Sequence, residues 1–409
     1  TLFDGVTSLP PGAFQQYMAS GDAWRKSEPT PFWTFPELQS EVTECEALDC
    51  VSALVDRAVC DHLVADVPVG IFLSAGLDST ILAGLAARHS GQTRAFTVGF
   101  SDQPDMSEMD LAAETAARFG LPHTPINLPA DEAEAAAFEW LAAADQPSID
   151  GLNTFVVSKA VRKEGIKVAL SGLGSDELFG GYPSFRDVPR LARVTRELAW
   201  CPASVRRGAA AVVAVRKPRA VGRKLVDMMG GAGSLVDLYF HRRRALSNCE
   251  MKSLGFSPAA LGLMPDYQHV GALDDFDASD PVRAVSELES RFYQGNMLLR
   301  DSDVMGMAHG LEIRVPFLDR RLLDAVYSLP GPVRLPPRAA GKHLLRGAFG
   351  QLLRPDMTHR PKTGFTLPLA RWMRGPLRGV CQSALDACTE MASLPAAAVR
   401  RVWNEFTDE

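Results

Sequence analysis

Two short segments of the chain carry residue types that suit the binding of phosphate and of a divalent cation. The first is Ser74-Ala-Gly-Leu-Asp-Ser-Thr80, which lies between an apolar run and an amphipathic stretch. Small residues between a strand and a helix let backbone N–H groups approach an anion, and the helix dipole favours negative charge there. The segment therefore predicts a phosphate loop, although not of the Gly-Lys-Ser/Thr kind. The simpler alternative is a strand-to-helix turn that Asp78 or Ser79 caps.

The second segment is Ser171-Gly-Leu-Gly-Ser-Asp-Glu177, another glycine-rich turn with acidic residues that follows an apolar run. Mg²⁺ prefers hard oxygen ligands, usually one or two carboxylates together with phosphates. If the two turns lie side by side, Asp78 and Asp176 are therefore candidate Mg²⁺ ligands. Taken singly, Asp78 is also explained as a helix cap and Asp176 as an ordinary turn residue.

The elements around these segments predict that the two turns do lie side by side. Hydrophobic periodicity indicates helices over residues 41–64, 107–119 and 153–163, with Ser107 as a candidate N-cap. Apolar runs indicate strands over residues 69–73, 94–100 and 167–171. Alternating strands and helices predict an α/β fold with a parallel, doubly wound sheet. Ligands of such sheets bind beyond the carboxyl ends of the strands, so both turns should face one crevice.

The bulk composition excludes several classes of protein. The chain has 409 residues, of which 46% are hydrophobic and 22% charged, as expected for a globular protein. A net charge of −6 argues against a nucleic-acid-binding surface. No apolar run approaches the length of a membrane span, and no signal peptide is recognisable at the start. The seven cysteines form no C-x-x-C pair, which fits free thiols and predicts a cytoplasmic protein without nucleic-acid or membrane partners.

The domain organisation is predicted from changes in composition along the chain. Residues 1–40 are rich in proline and indicate a connector, residues 41–375 form the main domain, and residues 376–409 form a helical tail. Within the main domain, residues 186–285 are expected to form a basic helical insertion. Residues 186–244 alone hold 14 Lys and Arg against 4 Asp and Glu. This charge suits either a surface for an acidic partner or the solvated face of helices.

Three further motifs follow in the C-terminal half. They are Leu298-Leu-Arg-Asp-Ser-Asp-Val-Met-Gly-Met-Ala-His-Gly-Leu-Glu-Ile-Arg-Val-Pro-Phe-Leu-Asp319, Gly341-Lys-His-Leu-Leu-Arg346 and Arg360-Pro-Lys-Thr-Gly-Phe-Thr-Leu-Pro368. In this order, all five motifs resemble the synthetase domain of the glutamine-dependent asparagine synthetase family, a branch of the PP-loop ATP pyrophosphatases. The resemblance extends from about residue 50 to about residue 375, and five ordered motifs are far more specific than a single loop.

The resemblance implies a PP-loop α/β core with a helical C-terminal portion, and an ATP-dependent, AMP-forming amide ligase. A carboxylate would attack the α-phosphate of ATP, giving an acyl-adenylate and pyrophosphate, and ammonia or an amine would then displace AMP. Asp78 and Asp176 match the metal-binding aspartates, which implies Mg²⁺, and Lys362 matches a lysine that stabilises charge on the phosphates. The positions that match ATP- or AMP-binding residues are Leu73, Ser74, Gly76, Asp78, Ser79, Thr80, Val98, Ser171 and Gly172.

Charged residues of the Leu298–Asp319 motif are harder to assign. So many charges among apolar residues should pair, and for Arg314 and Asp319 we favour a structural network of buried ion pairs. Glu312 is more ambiguous, because it falls near the position of a catalytic glutamate in the β-lactam-forming relatives.

The sequence departs from the family pattern at Leu173. Asparagine synthetases carry Glu there and the β-lactam-forming relatives carry Tyr, whereas Leu cannot transfer a proton. Proton removal would then pass to Glu312, to a substrate group or to water.

A second departure concerns the source of the amine. Residues 1–12 resemble the end of the family's N-terminal glutaminase domain, and the rest of that domain is missing from this sequence. The first hypothesis is an amidotransferase that receives ammonia from a glutaminase domain or partner chain. The second is an amide ligase or cyclase that uses a substrate amine in specialised-metabolite or peptide biosynthesis, of the β-lactam or lasso-peptide kind. The third is an inactive nucleotide-binding homologue. The carboxylate is a small molecule or a peptide, and a homodimer remains open.

Overall fold

The computed structural model describes residues 5–21, 23–100, 109–129, 132–231, 233–257, 273, 276–358, 367–391 and 394–408. Lys362 and Ser107, two residues that the sequence singled out, lie outside these ranges. Two compact units make up the chain. The first comprises Thr1–Asn127, Phe138–Phe179 and Glu289–Phe365, and the second Leu128–Ala137, Gly180–Leu288 and Thr366–Glu409. The domain boundaries at residues 40 and 375 stay predictions.

The strands and helices are numbered in chain order. The strands are β1 (Ala13–Phe14), β2 (Tyr17–Ser20), β3 (Ala23–Lys26), β4 (Thr30–Pro31), β5 (Val69–Phe72), β6 (Arg94–Phe100), β7 (His123–Leu128), β8 (Val168–Leu170) and β9 (Glu312–Arg314). The helices up to residue 230 are α1 (Glu44–His62), α2 (Leu77–His89), α3 (Met109–Phe119), α4 (Glu132–Ala143), α5 (Gly151–Lys163), α6 (Ser175–Phe179), α7 (Ser184–Glu197), α8 (Ala203–Ala214) and α9 (Arg219–Gly230). The later helices are α10 (Leu235–Arg243), α11 (Asn248–Ser253), α12 (Pro281–Leu288), α13 (Leu299–Met307), α14 (Arg320–Ser328), α15 (Gly331–Arg334), α16 (His343–Ala348), α17 (Leu369–Arg374), α18 (Arg378–Met391) and α19 (Ala396–Asp408).

The first unit is built on a five-stranded sheet of order β7-β6-β5-β8-β9. Strand β5 pairs in parallel with β6 and with β8, and β8 pairs in parallel with β9. Buried strands and helices α1 and α2 contribute to one hydrophobic core. The predicted α/β fold with a parallel sheet is therefore confirmed, and three of its strands begin and end within one residue of their predicted bounds.

Helix α1 shows how local sequence fixes an element of this unit. Thr43 caps the helix, and its side chain and that of Glu46 exchange hydrogen bonds with each other's backbone N–H groups. This capping box satisfies two N–H groups that a helix start otherwise leaves without partners. The buried face of the helix follows the spacing that the sequence predicted, and consists of Ala47, Val51, Val55, Ala58 and Val59.

Residues 13–31 contain more regular structure than the predicted connector. Strands β1 and β4 form one antiparallel pair, and β2 and β3 form a second. These strands have two to four residues each and are mostly exposed, so they lack the buried alternation by which a strand is recognised in a sequence. Nearby, the Trp33 indole donates a 2.6 Å hydrogen bond to Asp324 and its ring packs against Phe35.

A ten-residue π-helix, Glu289–Leu298, precedes α13 in the first unit. π-helices are rare, usually span a single turn and often mark functional sites. Two of its polar side chains are held by neighbours: the Ser290 hydroxyl lies 2.6 Å from the Tyr327 hydroxyl, and Tyr293 donates a 2.6 Å hydrogen bond to Asp150. The helix is thus fixed in rotation about its axis by side chains on two of its residues.

The second unit is helical. Arg223 of α9 forms ion pairs of 2.7 Å with Glu250 of α11 and 2.8 Å with Glu405 of α19, which join three helices. Other cations of the basic segment are also paired, such as Arg244, which lies 3.8 Å from Asp227. Ion pairs within the unit therefore neutralise part of the positive charge of residues 186–244. No helix in the described part of the chain is both long and apolar enough to cross a membrane.

Candidate active site

Hydroxyl groups of the loop between β5 and α2 form hydrogen bonds with the backbone of the same loop. The Ser79 hydroxyl accepts a 3.1 Å hydrogen bond from the Ser74 N–H, and the Ser74 hydroxyl accepts one of 3.1 Å from the Gly76 N–H. Thr80 donates a 2.8 Å hydrogen bond to the Gly76 carbonyl. These bonds fix the backbone of the predicted phosphate loop before any ligand binds.

Gly76 occupies the N-cap position of α2, with no side-chain hydrogen bond at the cap. The alternative in which Asp78 or Ser79 caps the helix is therefore wrong. A helix start without a side-chain cap presents N–H groups and the positive end of the dipole, which together suit an anion. This geometry favours phosphate binding over a simple turn.

The two glycine-rich turns touch each other at the carboxyl ends of β5 and β8. A Cβ atom added to Gly172 would lie 2.8 Å from Cβ of Asp78, so only glycine permits this approach. The two turns therefore lie side by side, as predicted. Asp78 at the start of α2 and Asp176 at the start of α6 both face one cation, Lys342.

Lys342 lies between the two aspartates. Its Nζ donates to Asp78 Oδ2, lies 2.8 Å from Asp176 Oδ1 and donates a 3.1 Å hydrogen bond to Ser175 Oγ. The residue is 6% exposed. Burial alone would lower the pKa of Lys342, but the charges of Asp78 and Asp176 outweigh it and raise the pKa above its ordinary value. The ammonium therefore stays charged at neutral pH.

The backbone of Lys342 adopts a left-handed conformation with φ of 61°. Its N–H donates a 3.1 Å hydrogen bond to the Phe179 carbonyl at the end of α6. Non-glycine residues seldom adopt this conformation, and such residues cluster where structure serves function. The sequence placed Lys342 inside a matching motif without giving it a role. Lys342 and Asp78 are 264 residues apart in the chain, so the sequence does not indicate that they form an ion pair.

The two carboxylates are oxygen donors of the type that Mg²⁺ prefers. Asp78 Oδ1 is buried and accepts no hydrogen bond from any described residue, and Asp176 presents a second carboxylate in the same crevice. Mg²⁺ is usually bound by one or two carboxylates and completed by waters and phosphate oxygens. No cluster of three or more His, Cys, Asp or Glu side chains that could hold a metal occurs among the described residues. The chain alone thus offers a partial set that a phosphate ligand would complete.

Other predicted nucleotide-binding residues lie at the same edge of the sheet. Leu73 follows β5, and its carbonyl accepts a 2.7 Å hydrogen bond from the Thr97 hydroxyl. Val98 lies in β6, two residues beyond the pair formed by Phe72 and Phe96. Ser171 follows β8, and its N–H donates a 2.8 Å hydrogen bond to the Arg314 carbonyl. The structure brings these residues together with Gly172, and their contacts with adenosine stay predictions.

Glu312 lies at the other end of the sheet. It pairs with Val168, the first residue of β8, and so lies at the amino ends of the parallel strands. Its side chain is 55% exposed and forms a 2.7 Å ion pair with Arg314. The structure does not bring Glu312 to the two aspartates, so its predicted catalytic role gains no support from its position.

The charges that flank Glu312 serve the structure. Arg314 donates a 2.8 Å hydrogen bond to the His62 carbonyl at the end of α1. Asp319 caps α14 and lies 2.9 Å from Arg321. The Arg321 guanidinium holds the pKa of Asp319 below its usual range. Arg314 and Asp319 are therefore each in an ion pair, but their partners, Glu312 and Arg321, are half exposed, so the buried network expected for them is wrong.

Gly174 makes the second turn possible. Its φ of 96° is unfavourable for other residues, and an added Cβ would lie 2.4 Å from Cδ2 of Leu318. We expect Gly174→Ala to lower the free energy of unfolding by about 3 kcal/mol, from backbone strain and overpacking together. Chemical denaturation would measure the change. Gly91→Ala is the matched control, because an added Cβ there meets nothing within 4 Å. Equal stability of the two variants would contradict the role of Gly174.

Comparison with known proteins places these features in one family. The asparagine synthase family matches residues 51–409. A putative glutamine-hydrolysing asparagine synthetase of Mycobacterium bovis is 33% identical over 333 residues, which is 80% of this chain. Asparagine synthetase 1 of Bacillus subtilis, also glutamine-hydrolysing, is 30% identical over 326 residues and 77% of this chain.

A fungal relative differs in name. The amidase chyE of Penicillium rubens is 27% identical over 414 residues, covering 92% of this chain and 61% of its own. The chain spans 49% of the length of each of the two bacterial synthetases, so their activities as whole proteins do not transfer directly. Because the family match covers most of the sequence, the chain belongs to the asparagine synthase family.

Proposed function

We propose that the chain is an ATP-dependent carbon–nitrogen ligase that activates a carboxylate as an acyl-adenylate and releases pyrophosphate. The observation that carries this proposal is the cluster of Lys342, Asp78 and Asp176 where the β5 and β8 turns meet. Pyrophosphate leaves with negative charge, and a buried ammonium beside an uncapped helix start stabilises that charge. The two carboxylates are the residues that would hold Mg²⁺, which supplies further positive charge to the phosphates when bound.

The residues of the chain divide the work between them. Backbone N–H groups at the start of α2 and the hydroxyl-bonded Ser74 loop would bind the phosphates, while Leu73, Val98, Ser171 and Gly172 would hold the adenosine. The Lys342 ammonium would stabilise the charge that develops on the phosphates, because Asp78 and Asp176 already hold it between the two turns. Lys362 is proposed as a second cation for the phosphates on the strength of its motif alone.

The amine that completes the amide distinguishes two versions of this function. Residues 1–12 and the relatives named as glutamine-hydrolysing favour ammonia from a glutaminase domain or partner. Leu173 favours a substrate amine, because the half-buried leucine at the β8 turn offers no group to accept a proton from ammonium. An amine that is delivered neutral, or that belongs to the same molecule as the carboxylate, needs that group less.

Exchange of radiolabelled pyrophosphate into ATP tests the proposal. The purified chain would be incubated with MgCl₂, ATP and single acids from a panel that includes aspartate, glutamate and derivatives of amino acids. We expect exchange that depends on one class of acid, since adenylation is reversible until an amine arrives. Retained ATP binding without exchange, for every acid and with a glutaminase partner added, would favour an inactive nucleotide-binding homologue. AMP release with ammonia and with candidate amines then separates the two versions.

A further inference from the structure

One buried side-chain amide beside the β8 turn has a nitrogen without a hydrogen-bond partner in the described part of the chain. Gln294 is 4% exposed, and its Nε2 has no hydrogen-bond partner among the described residues. Leaving a buried donor without a partner is costly, and native proteins rarely do so without a reason. A buried donor of this kind is explained if a ligand supplies the acceptor.

The position of Gln294 is fixed rather than accidental. It lies on the π-helix Glu289–Leu298, whose Ser290 and Tyr293 are both hydrogen-bonded to neighbouring elements. The amide points at the second glycine-rich turn, because a Cβ added to Gly174 would lie 3.2 Å from Gln294 Nε2. The same added atom would touch Leu318, so an apolar side chain flanks the amide.

The β8 turn thus has contacts at two of its glycines. Gly172 meets Asp78 of the phosphate loop, and Gly174 meets Gln294 and Leu318. An acid that attacks the α-phosphate must bind next to the phosphates. On the Gly172 side, Lys342 and the start of α2 are the groups proposed to bind the phosphates. A neutral amide donor beside a leucine suits an oxygen of a less highly charged molecule that carries apolar groups.

We propose that the Gln294 amide donates a hydrogen bond to an oxygen of the carboxylic acid that the enzyme activates, and so positions that acid and contributes to its selection. This inference rests on the proposed ligase function. It assigns Gln294 a positioning role, since no atom of the residue takes part in bond making. A site built to donate a hydrogen bond discriminates strongly against molecules that lack the acceptor.

The test compares Gln294→Met with Gln39→Met. Methionine keeps the length and volume of glutamine and removes the hydrogen-bonding groups. Gln39 is the control because its Nε2 donates a 3.0 Å hydrogen bond to Ser328. KM and kcat would be measured by pyrophosphate exchange for ATP and for the acid of the panel that gives the parent the fastest exchange, and Tm by calorimetry.

For Gln294→Met we expect the KM for the acid to rise about tenfold to a hundredfold, with the KM for ATP unchanged within a factor of about two. Its Tm should equal or exceed that of the parent, because the substitution removes a buried donor that bonds to none of the described residues. Gln39→Met should show the opposite pattern, with a lower Tm and an unchanged KM for the acid.

Two results would overturn the inference. One is an unchanged KM for the acid, whether or not the KM for ATP rises, and the other is a lower Tm with both KM values raised, which indicates a structural role. Absence of exchange in the parent with every acid is a different result. It concerns the proposed function, and the parent protein alone reveals it.

Discussion

Lys342→Met should lower the rate of ATP–pyrophosphate exchange by about 100-fold to 1,000-fold, the usual effect of removing one preorganised electrostatic group from a reacting centre. The ammonium is buried between Asp78 and Asp176, and methionine replaces its stem without its charge. The rate would be measured at saturating ATP and acid, with circular dichroism confirming that the variant is folded at the assay temperature.

The same substitution should also lower the stability of the protein. Without Lys342, two carboxylates face each other in a buried crevice, and removal of one partner from a buried ion pair costs about 3–5 kcal/mol. Loss of exchange with parental stability would show that the charge acts in catalysis alone. Loss of stability with the parental exchange rate would contradict the catalytic role. Lys159→Met is the matched control, because Lys159 pairs with Glu139 at the surface and should leave both properties unchanged.

Asp176→Asn should abolish pyrophosphate release. The substitution keeps the shape of the side chain and removes one of the two carboxylates that face Lys342. The crevice then loses a ligand that would hold Mg²⁺, and any exchange that remains should require a higher concentration of MgCl₂ for its half-maximal rate. Burial lowers the pKa of Lys342, and the two carboxylates raise it. With one carboxylate left, we expect this pKa to fall.

Pyrophosphate release would be followed by a coupled phosphate assay across a series of MgCl₂ concentrations. Asp66→Asn serves as the control, because Asp66 is an exposed aspartate on the segment that precedes β5. Release by Asp176→Asn at the parental rate and with the parental MgCl₂ dependence would remove Asp176 from the metal-binding site.

The core of the fold could be predicted from the sequence because its signals are local. Strands 69–73, 94–100 and 167–171 read as apolar runs between helical patterns, and a parallel sheet follows from that alternation. The meeting of Asp78 and Asp176 followed as well, since both come directly after neighbouring strands. These inferences need only the order of elements along the chain.

Features that depend on distant partners or on unusual backbone geometry could not be predicted. Lys342, which contacts Asp78, itself has a left-handed backbone conformation. The hydrophobic periodicity of a sequence does not indicate such a residue. The π-helix that carries Gln294 has the composition of an ordinary helix, so its hydrogen-bond pattern was not foreseen. Glu312 lies in a three-residue strand, and the sequence could not tell which end of the sheet it would occupy. The departure at Leu173 was recognised only by comparison with a family motif.

The ion pair of Lys342 with two aspartates also bears on the order in which ligands arrive. Lys342 already offsets part of the negative charge of Asp78 and Asp176, so a free divalent ion is attracted less strongly than by the two carboxylates alone. A nucleotide brings phosphate oxygens that complete the coordination of the ion and also attract the ammonium. If Asp78 and Asp176 hold Mg²⁺ as predicted, binding of the ion together with the nucleotide would therefore be favoured over binding of the ion alone. Lys342 would then make metal binding depend on the nucleotide.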